Sequence, residues 1–252
     1  MMIRIVKTCL PLLILMVTKA AFAGLPETIQ KIKPSIVGVG TYNRLASPNS
    51  QLLGTGFVVG NGQLIATNSH VVPTTLNHNQ REKLVVFIGQ GRSPEVRNAT
   101  LLTRDETHDL ALIKISGPPL KPLTLSQHSV REGELFSFTG FPIGAVLGLY
   151  PVTHQGIISS ITPIATPVNS TRELSIKQLK ALRNPYNVYQ FDATAYPGNS
   201  GSPVYNQQTG EVIAVINKVF VKSTKETLLS DPSAITYAIP VKYLRQLIHR
   251  HN

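Results

Sequence analysis

The chain has 252 residues and a formal net charge of +11, which is consistent with one domain or two small ones. The positive charge favours anionic surfaces, but no block of basic residues is interleaved with aromatics, so we expect no specific nucleic-acid partner. The single cysteine, Cys9, excludes a disulfide framework within the chain.

The first 23 residues have the pattern of a secretory signal peptide. Arg4 and Lys7 form a basic region, Leu10–Val17 form a short apolar run, and Ala21–Ala23 form a small-x-small cleavage site. The apolar run is far shorter than the roughly 20 residues that span a membrane, which disfavours the alternative of an uncleaved anchor. We therefore expect export to the periplasm or the outside, no stable membrane insertion, and a mature domain over residues 24–252.

The mature region begins with a predicted amphipathic helix over Leu25–Lys33, which Pro34 would end. Short apolar runs separated by Gly, Pro, Asn and Ser then continue almost to the end of the chain. Many short strands at this spacing predict an all-β barrel or sandwich. The predicted strands are Ser35–Val39, Thr55–Val59, Leu64–Thr67, Leu84–Ile88, Leu110–Ile115, Leu135–Thr139, Gly156–Ile161, Val188–Ala193, Pro203–Tyr205, Val212–Asn217 and Ile235–Ile239.

Three segments depart from this rhythm of strands. The proline-containing segment Ser116–Leu123 is predicted to connect two halves of the molecule. Thr171–Arg183 has helical spacing and is interpreted as a short helix in a loop insertion, either a solvated excursion or a loop that contacts substrate. Val241–Arg250 is predicted to close the chain as a helix with its apolar residues on one face.

One serine lies within a run of turn-forming residues. Gly198 and Asn199 precede Ser200, and Gly201 and Pro203 follow it. Residues of this kind permit a tight turn that can direct two N–H groups at one point before the serine oxygen. An oxyanion hole needs that geometry, so Ser200 is a candidate nucleophile.

A nucleophilic serine needs a base and a carboxylate that orients the base. His70 follows the apolar run at Leu64–Thr67, and Asp109 precedes the run at Leu110–Ile115. Taken alone, His70 could be a core histidine and Asp109 a turn residue or a helix cap. Occurring together with Ser200, they indicate a catalytic triad in the order His, Asp, Ser.

The segments that carry these residues resemble the trypsin-like serine proteases, and within them the HtrA (Deg) family. The matching segments are Gly54–Val59, Ala66–Val72, Asp109–Lys114, Pro197–Pro203 and Ala238–Pro240, in the order of the family. The resemblance covers about residues 25–247.

The resemblance implies a fold and a set of roles. It implies two six-stranded antiparallel β-barrels, at about residues 35–117 and 131–240, with the catalytic cleft between them and a C-terminal helix at 241–250. By motif match His70 is the general base, Asp109 its orienter and Ser200 the nucleophile. The oxyanion hole falls at Gly198, Asn199 and Ser200, with the N–H groups of Gly198 and Ser200 as donors and Asn199 in the connecting turn.

Three features differ from the pattern of the HtrA family. HtrA proteins usually carry PDZ domains after the protease domain, and this chain continues only briefly past Ala238–Pro240. Ser202 replaces the glycine usual two places after the nucleophile, a small change that we expect the fold to tolerate. The segment Ala214–Lys218 does not align cleanly with the strand that lines the family's specificity pocket, so substrate preference is not assigned.

The predicted function is that of a serine endopeptidase that cleaves unfolded or misfolded proteins through an acyl-enzyme, with no cofactor and no metal. The alternative is a latent or non-cleaving protein that binds polypeptides in a chaperone-like way. An esterase on the same triad is disfavoured because the chain lacks an α/β alternation. The segment Leu25–Lys33 could mediate a homotrimer or could pack on a barrel.

Overall fold

The computed structural model describes residues 24–77, 81–142, 148–164, 185–217 and 235–251. The predicted signal peptide at 1–23 and the predicted helix at 171–183 lie outside these residues, and both stay predictions. None of the helices within the described ranges is long and apolar enough to cross a membrane.

The described strands form two closed barrels, each with six antiparallel strands. The first barrel has the order β1-β2-β3-β6-β5-β4, and the second has the order β10-β11-β12-β9-β8-β7. The predicted all-β fold with two six-stranded barrels is therefore confirmed. The strands of the first barrel are β1 (Ile36–Tyr42), β2 (Ser50–Val59), β3 (Leu64–Asn68), β4 (Lys83–Ile88), β5 (Glu95–Asp105) and β6 (Leu110–Ile115). Those of the second are β7 (Leu135–Gly140), β8 (Val152–Pro163), β9 (Asn187–Asp192), β10 (Pro203–Asn206), β11 (Val212–Asn217) and β12 (Ile235–Pro240).

Strand β5 was not predicted from the sequence. It pairs with both β4 and β6, yet Ala99 is its only buried residue, and its apolar residues Val96 and Leu101 are 45% and 40% exposed. Without a buried apolar face, the strand has no hydrophobic periodicity to reveal it. Its position is set by backbone pairing with its neighbours.

Two helices flank the barrels. Helix α1 (Leu25–Ile32) matches the predicted N-terminal helix and is followed by a 3-10 turn at Lys33–Ser35. Its Thr28 hydroxyl donates to the carbonyl of Gln208 at 3.4 Å, in the turn between β10 and β11. Thus α1 packs on the second barrel within this chain. Helix α2 (Val241–His251) follows β12 directly, as predicted.

The hydrophobic core has three main parts. One fills the first barrel and a second fills the second barrel. A third lies between the barrels and under α2, where Phe57 and Leu112 of the first barrel pack in the same cluster as Val215 and Leu244. The end of β3, the start of β6 and the turn before β10 come together beside this shared core, which is where the candidate site lies.

Candidate active site

His70 lies in a 3-10 turn, Ser69–Val71, directly after β3. Its Nδ1 is 2.7 Å from Oδ2 of Asp109, and its backbone N–H donates to Oδ1 of the same carboxylate at 3.0 Å. An ionised carboxylate can only accept a hydrogen bond, so Nδ1 of His70 carries the hydrogen. In this tautomer Nε2 has no hydrogen and is able to accept a proton. The His70 side chain is 32% exposed, so its ring is not enclosed by the protein.

Asp109 lies directly before β6 with a φ of +52°. Aspartate is among the few residues other than glycine that adopt this left-handed conformation. The residue is buried, and its carbonyl accepts the Ser69 N–H and the Asn68 amide, each at 3.1 Å. These bonds join the loop before β6 to the turn that carries His70.

Asn217 is a further residue of the site, which the sequence analysis did not single out. It is the last residue of β11, and its Nδ2 donates to Asp109 Oδ2 at 3.0 Å. The segment Ala214–Lys218 did not align with the strand that lines the family's specificity pocket. Its first four residues lie in β11, and the last residue of β11 bonds to Asp109. Lys218 lies outside the described residues.

Ser200 lies in the tight turn that precedes β10. Gly198 has a φ of +96° and Gly201 a φ of +86°, so both positions need the freedom of glycine. Ser200 itself is 7% exposed. The turn predicted around the serine is therefore present, with a glycine at each bend.

The N–H groups of this turn differ in their partners. The N–H of Asn199 donates to the carbonyl of Tyr196 at 3.0 Å, so it is not a donor toward the cleft. The N–H groups of Gly198 and Ser200 make no hydrogen bond to any residue in the described part of the chain. Of the three residues assigned to the oxyanion hole, Gly198 and Ser200 have the available donors.

Thr55 of β2 holds the serine turn from the opposite barrel. Its hydroxyl donates to the carbonyl of Gly198 at 2.7 Å, and its backbone N–H donates to the carbonyl of Ser200 at 2.9 Å. The peptide between Gly198 and Asn199 is thus bonded at its carbonyl by Thr55 and at its N–H by Tyr196. In the sequence Thr55 belongs to the Gly54–Val59 motif, which by itself predicts no role for its side chain.

Ser202, two places after Ser200, is fully buried against Gly140 at the end of β7. A Cβ on Gly140 would collide with the Ser202 hydroxyl and would approach Oδ1 of Asn199 to 3.0 Å. Residue 140 must therefore be small for a serine to occupy position 202. The Ser202 hydroxyl and the Asn199 amide have no hydrogen-bond partner among the described residues.

His70 and Ser200 are not hydrogen-bonded to each other. Within the described ranges, neither the Ser200 hydroxyl nor Nε2 of His70 has a hydrogen-bond partner. Catalytic hydrogen bonds are often long in unliganded enzymes and shorten when substrate binds. The described residues also contain no cluster of three or more potential metal-ligating side chains.

The arrangement has the parts that acyl transfer needs. It has a histidine oriented by a buried carboxylate, a serine on a sharp turn, and two backbone donors beside that serine. Residues 54–215, which contain His70, Asp109 and the serine turn, match the trypsin-like peptidase domain.

Known proteins resemble the chain in sequence and in fold. Serine protease HTRA1A of Danio rerio is 28% identical over 227 residues, covering 88% of this chain and 40% of its own length. Serine protease HTRA3 of Homo sapiens is 30% identical over 224 residues, covering 87% and 43%. The chain therefore spans less than half the length of these curated relatives.

Solved structures share the architecture. A serine endoprotease from Yersinia pestis superposes with a TM-score of 0.62 at 21% identity, over 91% of this chain and 66% of that one. An HtrA-type protease solved with a tripeptide gives 0.63 at 21% identity, over 90% and 63%. At this identity the likeness shows the fold alone. The domain match over residues 54–215 establishes that the chain belongs to the trypsin-like peptidases, and the curated relatives with which it aligns are serine proteases of the HtrA family.

Proposed function

We propose that the protein is a serine endopeptidase that cleaves unfolded or misfolded polypeptides through an acyl-enzyme. His70 removes the proton from Ser200 as the serine oxygen attacks a peptide carbonyl. His70 then gives that proton to the departing amine, and water releases the acyl group. Asp109 keeps His70 in the required tautomer and stabilises the imidazolium that forms during both steps.

The N–H groups of Gly198 and Ser200 bind the oxyanion. Charge develops on the carbonyl oxygen only during the reaction, so these donors stabilise the transition state more than the substrate. One such donor is worth on the order of 3 kcal/mol of barrier. Thr55 supports them because it fixes the peptide that follows Gly198.

The observation that carries this proposal is the carboxylate of Asp109, which accepts from both the ring and the backbone N–H of His70. Together the two bonds hold the ring in one orientation, which a general base needs, while 32% of the His70 side chain stays exposed. The serine turn with its two unpartnered N–H groups is bonded to Thr55 of β2, and β2 pairs with β3, the strand that His70 follows.

The test is cleavage of casein by the chain from residue 24 onward, beside Ser200→Ala and Ser160→Ala. We expect cleavage by the wild type and by Ser160→Ala, and none by Ser200→Ala. A serine-reactive fluorophosphonate should label the wild type and not Ser200→Ala. Undiminished cleavage by Ser200→Ala would rule out the assignment of the nucleophile.

The second candidate is a latent or non-cleaving protein that binds polypeptides. The missing hydrogen bond between Ser200 and His70 favours it, because an unassembled pair would not activate the serine. In that case unfolded casein should bind without being cut, and fluorophosphonate should label no residue. Labelling at Ser200 without cleavage would instead indicate an enzyme that needs an activating ligand.

We also propose that the protein is exported through its N-terminal segment. The support for export is the basic, apolar and small-residue order of residues 1–23. Protein recovered from the producing cell should begin at residue 24, and an intact Met1 would contradict export with cleavage. Light scattering on the purified chain distinguishes a monomer from the trimer that the family resemblance suggests.

A further inference from the structure

A second histidine–aspartate pair lies beside the catalytic loop. Nδ1 of His108 is 2.8 Å from Oδ2 of Asp105, and the His108 backbone N–H donates to Oδ1 of the same carboxylate at 3.1 Å. Asp105 is the last residue of β5, and His108 directly precedes Asp109. The side chains of Asp105 and His108 are 8% and 18% exposed, so this histidine is less accessible than His70, whose side chain is 32% exposed.

Helix α2 contacts the same pair through two side chains. The guanidinium of Arg250 donates to Oδ2 of Asp105 at 2.9 Å. The ring of Tyr243 stacks on the ring of His108, with centroids 3.9 Å apart and an interplanar angle of 17°. Tyr186, just before β9, meets His108 edge-on at 4.6 Å. His108 is therefore held between β5, α2 and the second barrel.

In the described part of the chain, the charged and titratable groups around His108 come from β5, α2, the segment before β9 and the neighbouring loop position. They are Asp105 from β5, Tyr243 and Arg250 from α2, Tyr186 from the second barrel, and the neighbouring Asp109. Burial alone would raise the pKa of Asp105, but hydrogen bonds from His108 and Arg250 outweigh it and hold that pKa at about 2. The ionised carboxylate can only accept, so Nδ1 of His108 carries the proton.

The contacts of His108 restrain the short loop between β5 and β6. Only residues 106–109 join β5 to β6, and the last of them has a φ of +52°. The His108 peptide and side chain are both tied to Asp105, which leaves the following Asp109 little freedom to turn its carboxylate. A left-handed residue persists only where its surroundings hold it.

We propose that His108 is a positioning residue, which anchors the loop before β6 to Asp105 and α2 and so holds Asp109 in register with His70. The inference rests on the proposed serine-peptidase function. It assigns to α2 a part in the active site, although no residue of α2 contacts His70, Ser200 or Asp109 through a hydrogen bond in the described part of the chain.

The test uses two substitutions that separate the effect of the stacked ring of His108 from the effect of its hydrogen bond to Asp105. His108→Phe keeps the stacking on Tyr243 and loses the donor to Asp105. His108→Asn keeps an N–H donor and loses the ring. His249→Phe, at an exposed histidine of α2, is the matched control. Each variant is compared with the wild type for cleavage of fluorescent casein and for the rate of fluorophosphonate labelling as a function of pH.

For His108→Phe we expect kcat to fall about tenfold or more while KM stays within about twofold. The pH at half-maximal labelling should also move lower, because a poorly placed Asp109 stabilises the protonated His70 less. His108→Asn should recover most of the rate and the pH midpoint. His249→Phe should match the wild type.

Other results overturn the inference in distinct ways. Wild-type kinetics in His108→Phe would show that the anchor does not position Asp109. Equal losses in both His108 variants with an unchanged pH midpoint would indicate a purely structural role. A wild type that fluorophosphonate does not label would contradict the proposed function itself. If His108→Phe fails to fold, Arg250→Gln provides the same test, because Arg250 is exposed and also bonds to Asp105. A kcat and a pH midpoint equal to those of the wild type in Arg250→Gln would then reject the inference.

Discussion

At the scale of single residues, the Asp109 carboxylate depends on more than His70. Nδ1 of His70 and Nδ2 of Asn217 both bond to its Oδ2, at 2.7 and 3.0 Å. The bond to His70 lets the carboxylate orient the base, whereas the bond from Asn217 restricts rotation of the carboxylate. A bond to a buried charge of this kind contributes about 1.5–3 kcal/mol.

Asn217→Ala should therefore lower kcat by about tenfold to a hundredfold with little change in KM. The physical reason is that Oδ2 loses a donor from the second barrel and Asp109 can rotate away from His70. Steady-state kinetics on casein, normalised to folded protein, measure the effect. Asn187→Ala, at an exposed position of β9, is the control, and an equal loss in both variants would contradict the role of Asn217.

His154 on β8 is a half-buried histidine that the mechanism does not use. Its ring stacks on Phe138 at 4.8 Å, and its Nε2 has no hydrogen-bond partner among the described residues. Burial lowers the pKa of His154 below its ordinary value of 6.5. The folded protein therefore takes up this proton at a lower pH than the unfolded chain does.

The lower pKa of His154 in the folded protein makes the protein less stable in acid. As pH falls below about 6.5, the unfolded chain binds a proton that the folded protein still excludes, so His154 makes folding less favourable in acid. His154→Phe should flatten the loss of melting temperature between about pH 7 and 5 without lowering stability at pH 7. Thermal unfolding followed by circular dichroism measures it. The inference would be wrong if His154→Phe and the exposed His128→Phe gave the same pH dependence as the wild type.

At the scale of elements, β7 and β10 meet at a tight contact behind the serine turn. Gly140 ends β7, and its Cα faces the hydroxyl of Ser202. In the family pattern position 202 is glycine, so the serine of this chain requires the space that Gly140 leaves. The two positions are therefore coupled, and the tolerance expected for Ser202 depends on a residue 62 places earlier in the chain.

Gly140→Ala should destabilise the protein by about 1–3 kcal/mol, because its Cβ would overlap the Ser202 hydroxyl. Adding Ser202→Gly should recover part of that loss. The recovery stays partial because Oγ1 of Thr55 and Oδ1 of Asn199 lie 2.9 and 3.0 Å from the added Cβ. A double-mutant cycle in urea measures the coupling, and strictly additive effects would contradict the contact.

At the scale of the whole molecule, the two barrels share one hydrophobic cluster with α2. Phe57 and Leu112 of the first barrel, Val215 of the second and Leu244 of the helix are all buried in it. The barrels should therefore unfold together in one transition, although each has its own interior.

Leu244→Ala should lower the free energy of unfolding by about 2–5 kcal/mol and should shift both barrels equally. Hydrogen exchange with mass spectrometry, at increasing urea, follows peptides from each barrel separately. Leu45→Ala is the matched control, since Leu45 is 72% exposed and its loss should leave the midpoint unchanged. Midpoints that separate between the barrels in Leu244→Ala would refute the shared core.

Much of the fold could be predicted because the signals are local. Apolar runs bounded by turn residues marked every described strand except β5, and helical spacing marked α1 and α2. Strand β5 was missed because its larger apolar residues Val96 and Leu101 are exposed, so its sequence shows no alternation of buried and exposed positions. Its pairing with β4 and β6 leaves no signal in the local sequence. The turn around Ser200 was also predictable, since only glycine takes the φ values found at positions 198 and 201.

Local sequence was thus enough to nominate His70, Asp109 and Ser200 and to place each beside a strand end or in a turn. The contacts that hold these residues and their loops in place are visible only in the tertiary structure. Asn217 reaches Asp109 across 108 residues of sequence, Thr55 reaches Gly198 across 143, and Arg250 reaches Asp105 across 145. No periodicity encodes such contacts, because they exist only once both barrels have closed and α2 has packed between them.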